Sequence, residues 1–100
     1  MAIPDSITSI GDFAFYECSG LTSVTIPNSI TSIGSEAFSY CSRLMSLTIP
    51  NVVTRIGNLA FYQCDSLKSL IFKGKTLEEV KAMDNYPFGI EDETVIECED

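Results

Sequence analysis

The cysteines are the first residues to weigh for chemistry. Cys18, Cys41 and Cys64 recur at a constant interval of 23, and Cys98 lies 34 further on. None of these spacings is the close C-x-x-C type that clasps zinc. The carboxylates come next: Glu78/Glu79 and Glu91-Asp92-Glu93 are the clusters that could act as acid/base pairs or hold calcium. Neither has EF-hand spacing, and neither lies among apolar residues that would perturb a pKa. They read as a solvated acidic face, with an adventitious calcium in the tail left open. Serine is plentiful, but the chain has no His to act as base and no G-x-S-x-G elbow. Lys68, Lys73, Lys75 and Lys81 belong to no catalytic motif. The expectation is therefore no catalytic residue, no metal, no cofactor and no enzyme.

Composition points the same way. One hundred residues with 45% apolar content make a single domain, residues 1–100, able to build a core. Six Lys+Arg against fourteen Asp+Glu give a net charge of −8. Scattered cations on an acidic chain argue against a nucleic-acid partner. No apolar run approaches the ~18–20 residues of a membrane span, so no membrane insertion is expected. The opening MAIPDS lacks the basic start and apolar stretch of a secretory signal. Compartment is thus not readable from the chain.

Self-comparison supplies the organisation. Shifted by 23, the chain aligns with itself twice, as units 3–25, 26–48 and 49–71. Ten of the 23 columns are identical in all three units: Ile, Pro, Thr, Ile, Gly, Ala, Phe, Cys, Leu and Ser. Residues 72–100 form a separate, acidic segment, with nine acids and three bases against five and three in residues 1–71.

Within a unit, Leu21-Thr22-Ser23-Val24-Thr25-Ile26 alternates like a short strand. Pro27 stops it, Asn28-Ser29 turns the chain, and Ile30 to Ile33 is a second extended piece. The glycine column 11/34/57 suggests a backbone needing positive φ. Glu36 to Cys41 fits one or two helical turns. Such a unit cannot bury its own apolar side, so the units must stack like on like, one per ~4.8 Å. The fold class is an α/β repeat solenoid of three strand–turn–strand–short helix units. In this arrangement the cysteines become a ladder of small, buried, reduced thiols. Cys98, beside Glu97, Glu99 and Asp100, has an acidic setting that raises its pKa.

The pattern L-x-x-[VL]-x-I-P-x-[SV]-[IV]-T-x-I-G-x-x-A-F-x-x-C runs from Leu21 to Cys41 and again from Leu44 to Cys64. It resembles the BspA-type leucine-rich repeat, over residues 3–71, with an incomplete copy entering at Ile3. The tail GKTLEEVKAMDNYPFGI also looks like the C-terminal ending of some members. The resemblance implies a right-handed leucine-rich-repeat coil and a non-enzymatic, protein-recognition scaffold. Members are similar to surface or secreted proteins of host-associated bacteria and some parasitic protists, several of them adhesins. That would place the parent protein at the cell surface or outside the cell.

Residues 72–100 read as a C-terminal helix/strand cap. Phe72 continues the Ile26/Ile49 column and Gly74 breaks the strand. Thr76 and Glu79 have capping-box spacing, and Leu77, Val80 and Met83 share one helix face. A cap over the solenoid end is preferred to a docking site for a partner helix. Tyr86 and Phe88 are available to plug that end, and Thr94 to Cys98 can form a last strand.

Two surfaces are candidates for interaction. The first is the outward strand face: Thr22, Ser23 and Thr25, then Met45, Ser46 and Thr48, then Lys68 and Ser69. It would bind a protein partner, or it merely solvates the sheet and pairs across strands. The second is the N-terminal edge, where Ile3, Ile7, Ile10 and Phe15 would lie exposed and invite a homo-oligomer. The leading function is protein recognition, adhesin-like, on the strand face. The alternative is a structural stacking or spacer unit that self-associates through its N-terminal end.

Overall fold

Each unit turns its corners with the same hydrogen bonds. After the strand, the N–H at Ile7, Ile30 and Val53 closes a turn on the carbonyl of Pro4, Pro27 and Pro50. Before the next strand, the N–H of Leu21, Leu44 and Leu67 closes on Cys18, Cys41 and Cys64. The repeated residues therefore fall at the repeated bends. The chain returns to the same side once per unit.

The computed structural model describes residues 2–99. It is a solenoid of about four turns, with a shortest extent of 20 Å. That extent matches four strand spacings of ~4.8 Å. One side carries the parallel strands β1 (Ser9–Ile10), β2 (Ser32–Ile33) and β4 (Arg55–Ile56), in the order β1-β2-β4. Another carries β3 (Ser46–Ile49), β5 (Ser69–Lys73) and β6 (Ile96–Glu99), also parallel, in the order β3-β5-β6. Isolated bridges Ser23↔Ser46 and Ala2↔Thr25 continue this sheet toward the first unit. Registers are repeat on repeat: Ile10↔Ile33, Ile33↔Ile56 and Leu47↔Leu70.

The third side departs from expectation. Residues 12–17, 35–40 and 58–63 form turns, not a short helix. Alternate N–H groups leave the unit altogether. Those of Phe13, Phe15 and Glu17 reach the carbonyls of Ser35, Ala37 and Ser39; those of Glu36, Phe38 and Tyr40 reach Asn58, Ala60 and Tyr62. The intervening Ala37, Ser39 and Cys41 close local turns on Gly34, Glu36 and Phe38. A helix would aim its N–H groups along its own axis, within its own unit; here half are spent on the neighbour, which holds the turns of the solenoid together.

This alternation forces left-handed backbone at two columns, Phe13/Glu36/Leu59 (φ 60, 51 and 57) and Glu17/Tyr40/Gln63 (φ 57, 62 and 57). The expectation that the glycine column supplies positive φ is corrected. Positive-φ glycines among the described residues are Gly74 and Gly89. Gly34 is needed for close approach instead: a Cβ there would sit 2.5 Å from the backbone N of Asp12. Gly57 is pressed against the Ser35 backbone in the same way, whereas Gly11 meets nothing within 4 Å.

The core is a set of ladders. Phe15 stacks on Phe38 at 5.1 Å (8° between planes), and Phe38 on Phe61 at 5.7 Å (14°). Burial rises away from the first unit. Ile30, Ala37, Phe38, Cys41, Leu44 and Ile49 are all 0% exposed, while Ile7 is 40% exposed and Phe15, Cys18 and Leu21 are only half-buried. A layer covered on both sides is sealed, and one covered on a single side is not.

The tail supplies the fourth layer with different chemistry. Phe72 pairs with Ile49 and is fully buried, and Gly74 (φ 69) ends β5. Helix α1 (Leu77–Lys81) begins with a complete capping box between Thr76 and Glu79. Val80 is buried, Met83 half-buried and Leu77 45% exposed. Asn85 Nδ2 donates to the Ile56 carbonyl at 3.0 Å. Gly34 and Gly57 N–H groups serve the equivalent carbonyls of Ile10 and Ile33, so an amide side chain stands in for the missing backbone donor. Phe88 is fully buried and meets Phe61 and Phe72 edge-on or tilted, at 6.4 and 5.9 Å. Its carbonyl accepts the Phe61 N–H. A short 3-10 turn, Glu93–Val95, then leads into β6, which pairs with β5.

Candidate functional site

The strand face is built by period-two alternation. Val24, Ile26, Leu47, Ile49, Leu70 and Phe72 point into the core. Their neighbours Ser23, Thr25, Ser46 and Thr48 are exposed. Thr22, Met45 and Lys68 stand just before the strands, all exposed, with Met45 at 56%. Their backbones are linked in order: Met45 N–H to the Thr22 carbonyl, Lys68 N–H to that of Met45. Seven of the eight expected residues are thus exposed in rows at strand spacing, and the eighth, Ser69, is half-buried. Small hydroxyls of this kind donate and accept, and Met45 offers a flexible apolar contact.

Beyond Ser69, β6 adds a further row, which puts Glu97 opposite Ile71 and Glu99 opposite Lys73. Ser69 Oγ donates to Glu97 Oε2 at 2.6 Å. Lys73 Nζ pairs with Glu99 Oε1 at 2.7 Å, each side chain 47% exposed. An ion pair so wet contributes about 0–1 kcal/mol. The face therefore grades from neutral hydroxyls at Thr22–Thr25 to carboxylates on β6.

The thiols lie elsewhere. All four are free; Cys41 is buried, Cys18 and Cys64 half-buried, and Cys98 exposed. Cys41 Sγ donates to the Phe15 carbonyl at 3.2 Å and Cys64 Sγ to that of Phe38 at 3.0 Å. Burial pushes the Cys41 thiol up to about 11 and the Cys64 thiol up to about 12. Such groups are spacers between layers and poor nucleophiles. Cys98 is also raised, by partial burial first and then by Glu79 of α1. The expected cause, Glu97 and Glu99, is corrected: strand alternation turns those two to the other side, and Asp100 lies outside the described residues.

In the tail, the Tyr86 hydroxyl donates to Glu93 at 2.6 Å, which pushes its pKa up to about 12. Glu79 is held below its ordinary value by the Thr76 N–H, and Asp92 by the hydroxyl and N–H of Thr94. Both carboxylates are thus engaged in capping turns. Among the described residues, no group of His, Cys, Asp or Glu is placed to hold a metal ion. No described helix is long and apolar enough to cross a membrane.

The N-terminal edge is narrower than expected. Ile3 and Ile10 are only 7% and 5% exposed, because they point into the coil and are covered by the second unit. Ile7 is exposed and Phe15 half-buried. Phe13, 53% exposed, is the large apolar residue that sequence reasoning missed there. An outer tyrosine stack, Tyr16/Tyr40/Tyr62, was missed too. Its signal is a Tyr one or two positions after the repeated Phe in every unit.

Stacked repeat rows, parallel register and a one-sided display surface define a leucine-rich-repeat solenoid. The chain belongs to the family described as BspA type Leucine rich repeat region (6 copies), whose model matches residues 1–89. No curated protein and no solved structure matches the chain. The family is generally non-enzymatic and suggests a repeat-based protein-interaction module.

Proposed function

We propose that the chain is a non-enzymatic recognition module, adhesin-like, that binds a protein partner on its strand face through Thr22, Ser23, Thr25, Met45, Ser46, Thr48, Lys68 and Ser69. The observation that carries this reading is Met45: a 56% exposed methionine in the middle row of a face otherwise made of small hydroxyls. A partner covering it gains buried apolar area, and the flanking hydroxyls supply adaptable hydrogen bonds. In this reading α1, Phe88 and β6 serve as the cap that seals the coil, and the parent protein works at the cell surface. The test is binding to a panel of immobilised extracellular-matrix proteins. The variant Met45→Asp/Ser46→Glu/Lys68→Glu, with native thermal unfolding, loses the binding that the wild type shows. Equal binding by the variant removes the strand face from the proposal.

A second reading has its own observation. Ile7, Phe13 and Phe15 leave apolar surface on the first turn, while Val80 and Phe88 at the other end are fully buried. A stacking or spacer unit would associate there through Ile7, Phe13 and Phe15, with Ile3 and Ile10 buried behind them. Sedimentation velocity separates the two: this reading requires concentration-dependent association that Phe13→Asp abolishes and the strand-face variant leaves intact.

A further inference from the structure

The turn side of the solenoid presents aromatic rings that the core does not use. Phe13 meets Tyr16 at 5.5 Å, Tyr16 meets Tyr40 at 5.5 Å, and Tyr40 meets Tyr62 at 5.6 Å, all edge to face. Phe13 is 53% exposed and Tyr16 and Tyr40 are each 38% exposed. The four rings form one continuous ladder across three layers. Each ring is braced by its neighbour, so little side-chain freedom is left to lose on binding.

The backbone explains why the rings stay outside. Phe13 and Tyr40 occupy left-handed positions, φ 60 and 62. Tyr16 follows Phe15, whose ring is taken by the core stack. In the second unit the residue after the core Phe is Ser39, fully buried, with its hydroxyl on the Leu59 carbonyl at 2.7 Å. Tyr40, one residue later, takes the outer place between Tyr16 and Tyr62. The ladder thus crosses from one repeat column to the next without a gap.

Charge decides what fits. The turn segments 12–17, 35–40 and 58–63 contain three acids, Asp12, Glu17 and Glu36, and no Lys or Arg. Glu17 is exposed and Glu36 half-buried beside the rings. The Tyr16 hydroxyl is held above its ordinary pKa by partial burial first, then by Glu17, Tyr40 and Glu36, consistent with carboxylates close to the ladder. Aromatic faces attract cations, and nearby carboxylates reinforce that attraction.

We propose that the Phe13/Tyr16/Tyr40/Tyr62 ladder, with Glu17 and Glu36, is a docking surface for an arginine- or lysine-rich peptide segment. Guanidinium or ammonium groups lie over the tyrosine rings, and the carboxylates fix their spacing. This surface is separate from the strand face, so either can fail without the other.

The test uses the full chain and an oligoarginine peptide, followed by calorimetry and by tyrosine fluorescence, which is unobscured because the chain has no Trp. Oligoarginine binds and an oligocitrulline of the same length does not. Tyr16→Leu/Tyr40→Leu weakens binding ~5- to 30-fold at unchanged net charge. Tyr16→Phe/Tyr40→Phe, which keeps the rings, retains it. Glu36→Gln weakens binding more than Glu91→Gln, which removes the same charge in the tail. The strand-face variant Met45→Ala binds like wild type. Unchanged affinity in the leucine variant overturns the proposal, as does equal loss from Glu36→Gln and Glu91→Gln, which would mean attraction by net charge alone. Binding of a cello-oligosaccharide that the leucine variant loses, with none of oligoarginine, also overturns it, in favour of a carbohydrate platform. If the leucine variant fails to melt cooperatively, the glutamine pair decides the outcome by itself.

Discussion

Replacing Phe38 by Ala tests the stacking principle most directly. Phe38 is 0% exposed and lies between Phe15 at 5.1 Å and Phe61 at 5.7 Å. Its N–H also bonds across to the Ala60 carbonyl, so the backbone is held in place and the site cannot readily collapse. Removing a sealed Phe of this kind costs about 3–5 kcal/mol, against the ~5–15 kcal/mol expected for a domain of this size. Phe15 occupies the same column in the first unit but is half-buried, with one stacking partner on the Phe ladder. Phe15→Ala should cost about half as much, ~1.5–2.5 kcal/mol. With a urea m-value of ~1.5 kcal/mol/M, the midpoints fall by ~2–3.3 M and ~1–1.7 M. Urea titration followed by circular dichroism reads both. Equal losses at the two positions, or a greater loss at Phe15, would refute the claim that each layer is sealed by the layers on either side.

Three further outcomes follow from the same geometry. Gly57→Ala drives a Cβ into the Ser35 backbone and lowers stability by ~1–3 kcal/mol, whereas Gly11→Ala, with nothing within 4 Å, is neutral or slightly stabilising in thermal melts. Gln63→Gly relieves a left-handed residue at φ 57 and raises the melting temperature by a few degrees, about 0.5–1 kcal/mol after the added backbone freedom of the unfolded chain. The pH profile falls at both ends. The raised thiols of Cys41 and Cys64 stay protonated in the folded chain while unfolded thiols ionise near 9.0, so their contribution is whole below pH 9 and is lost as pH climbs through about 11 and about 12. Tyr86 adds to the decline from pH 10 upward. Cys41→Ala/Cys64→Ala should flatten that limb in denaturant titrations run from pH 8 to 11. Glu79 and Asp92, both lowered, contribute above their ordinary values of 4.5 and 3.8, and that contribution is lost as pH falls through the folded pKa.

Some of this molecule is written in the order of its residues. A shift of 23 superimposes Ile on Ile, Phe on Phe and Cys on Cys, and like residues at one spacing can be buried only by stacking. The solenoid, the strand-face alternation, the Phe72 column and the Thr76/Glu79 capping box were all legible for that reason. Each depends on periodicity or on a contact within a few residues. What the tertiary structure alone decided lies between the layers. Half of the turn-side N–H groups bond to the next unit, so the short helix gives way to turns with left-handed residues at Glu36 and Tyr40. Gly34 and Gly57 are required by the backbone of the preceding unit, not by their own φ. Ile3 and Ile10 are hidden by a neighbour that no local pattern reveals. Tyr16 and Tyr40 meet although they sit in different columns of the repeat. A one-dimensional pattern states which residues recur; the distance between two coils, and which backbone donors cross it, is set only when the coils are in contact.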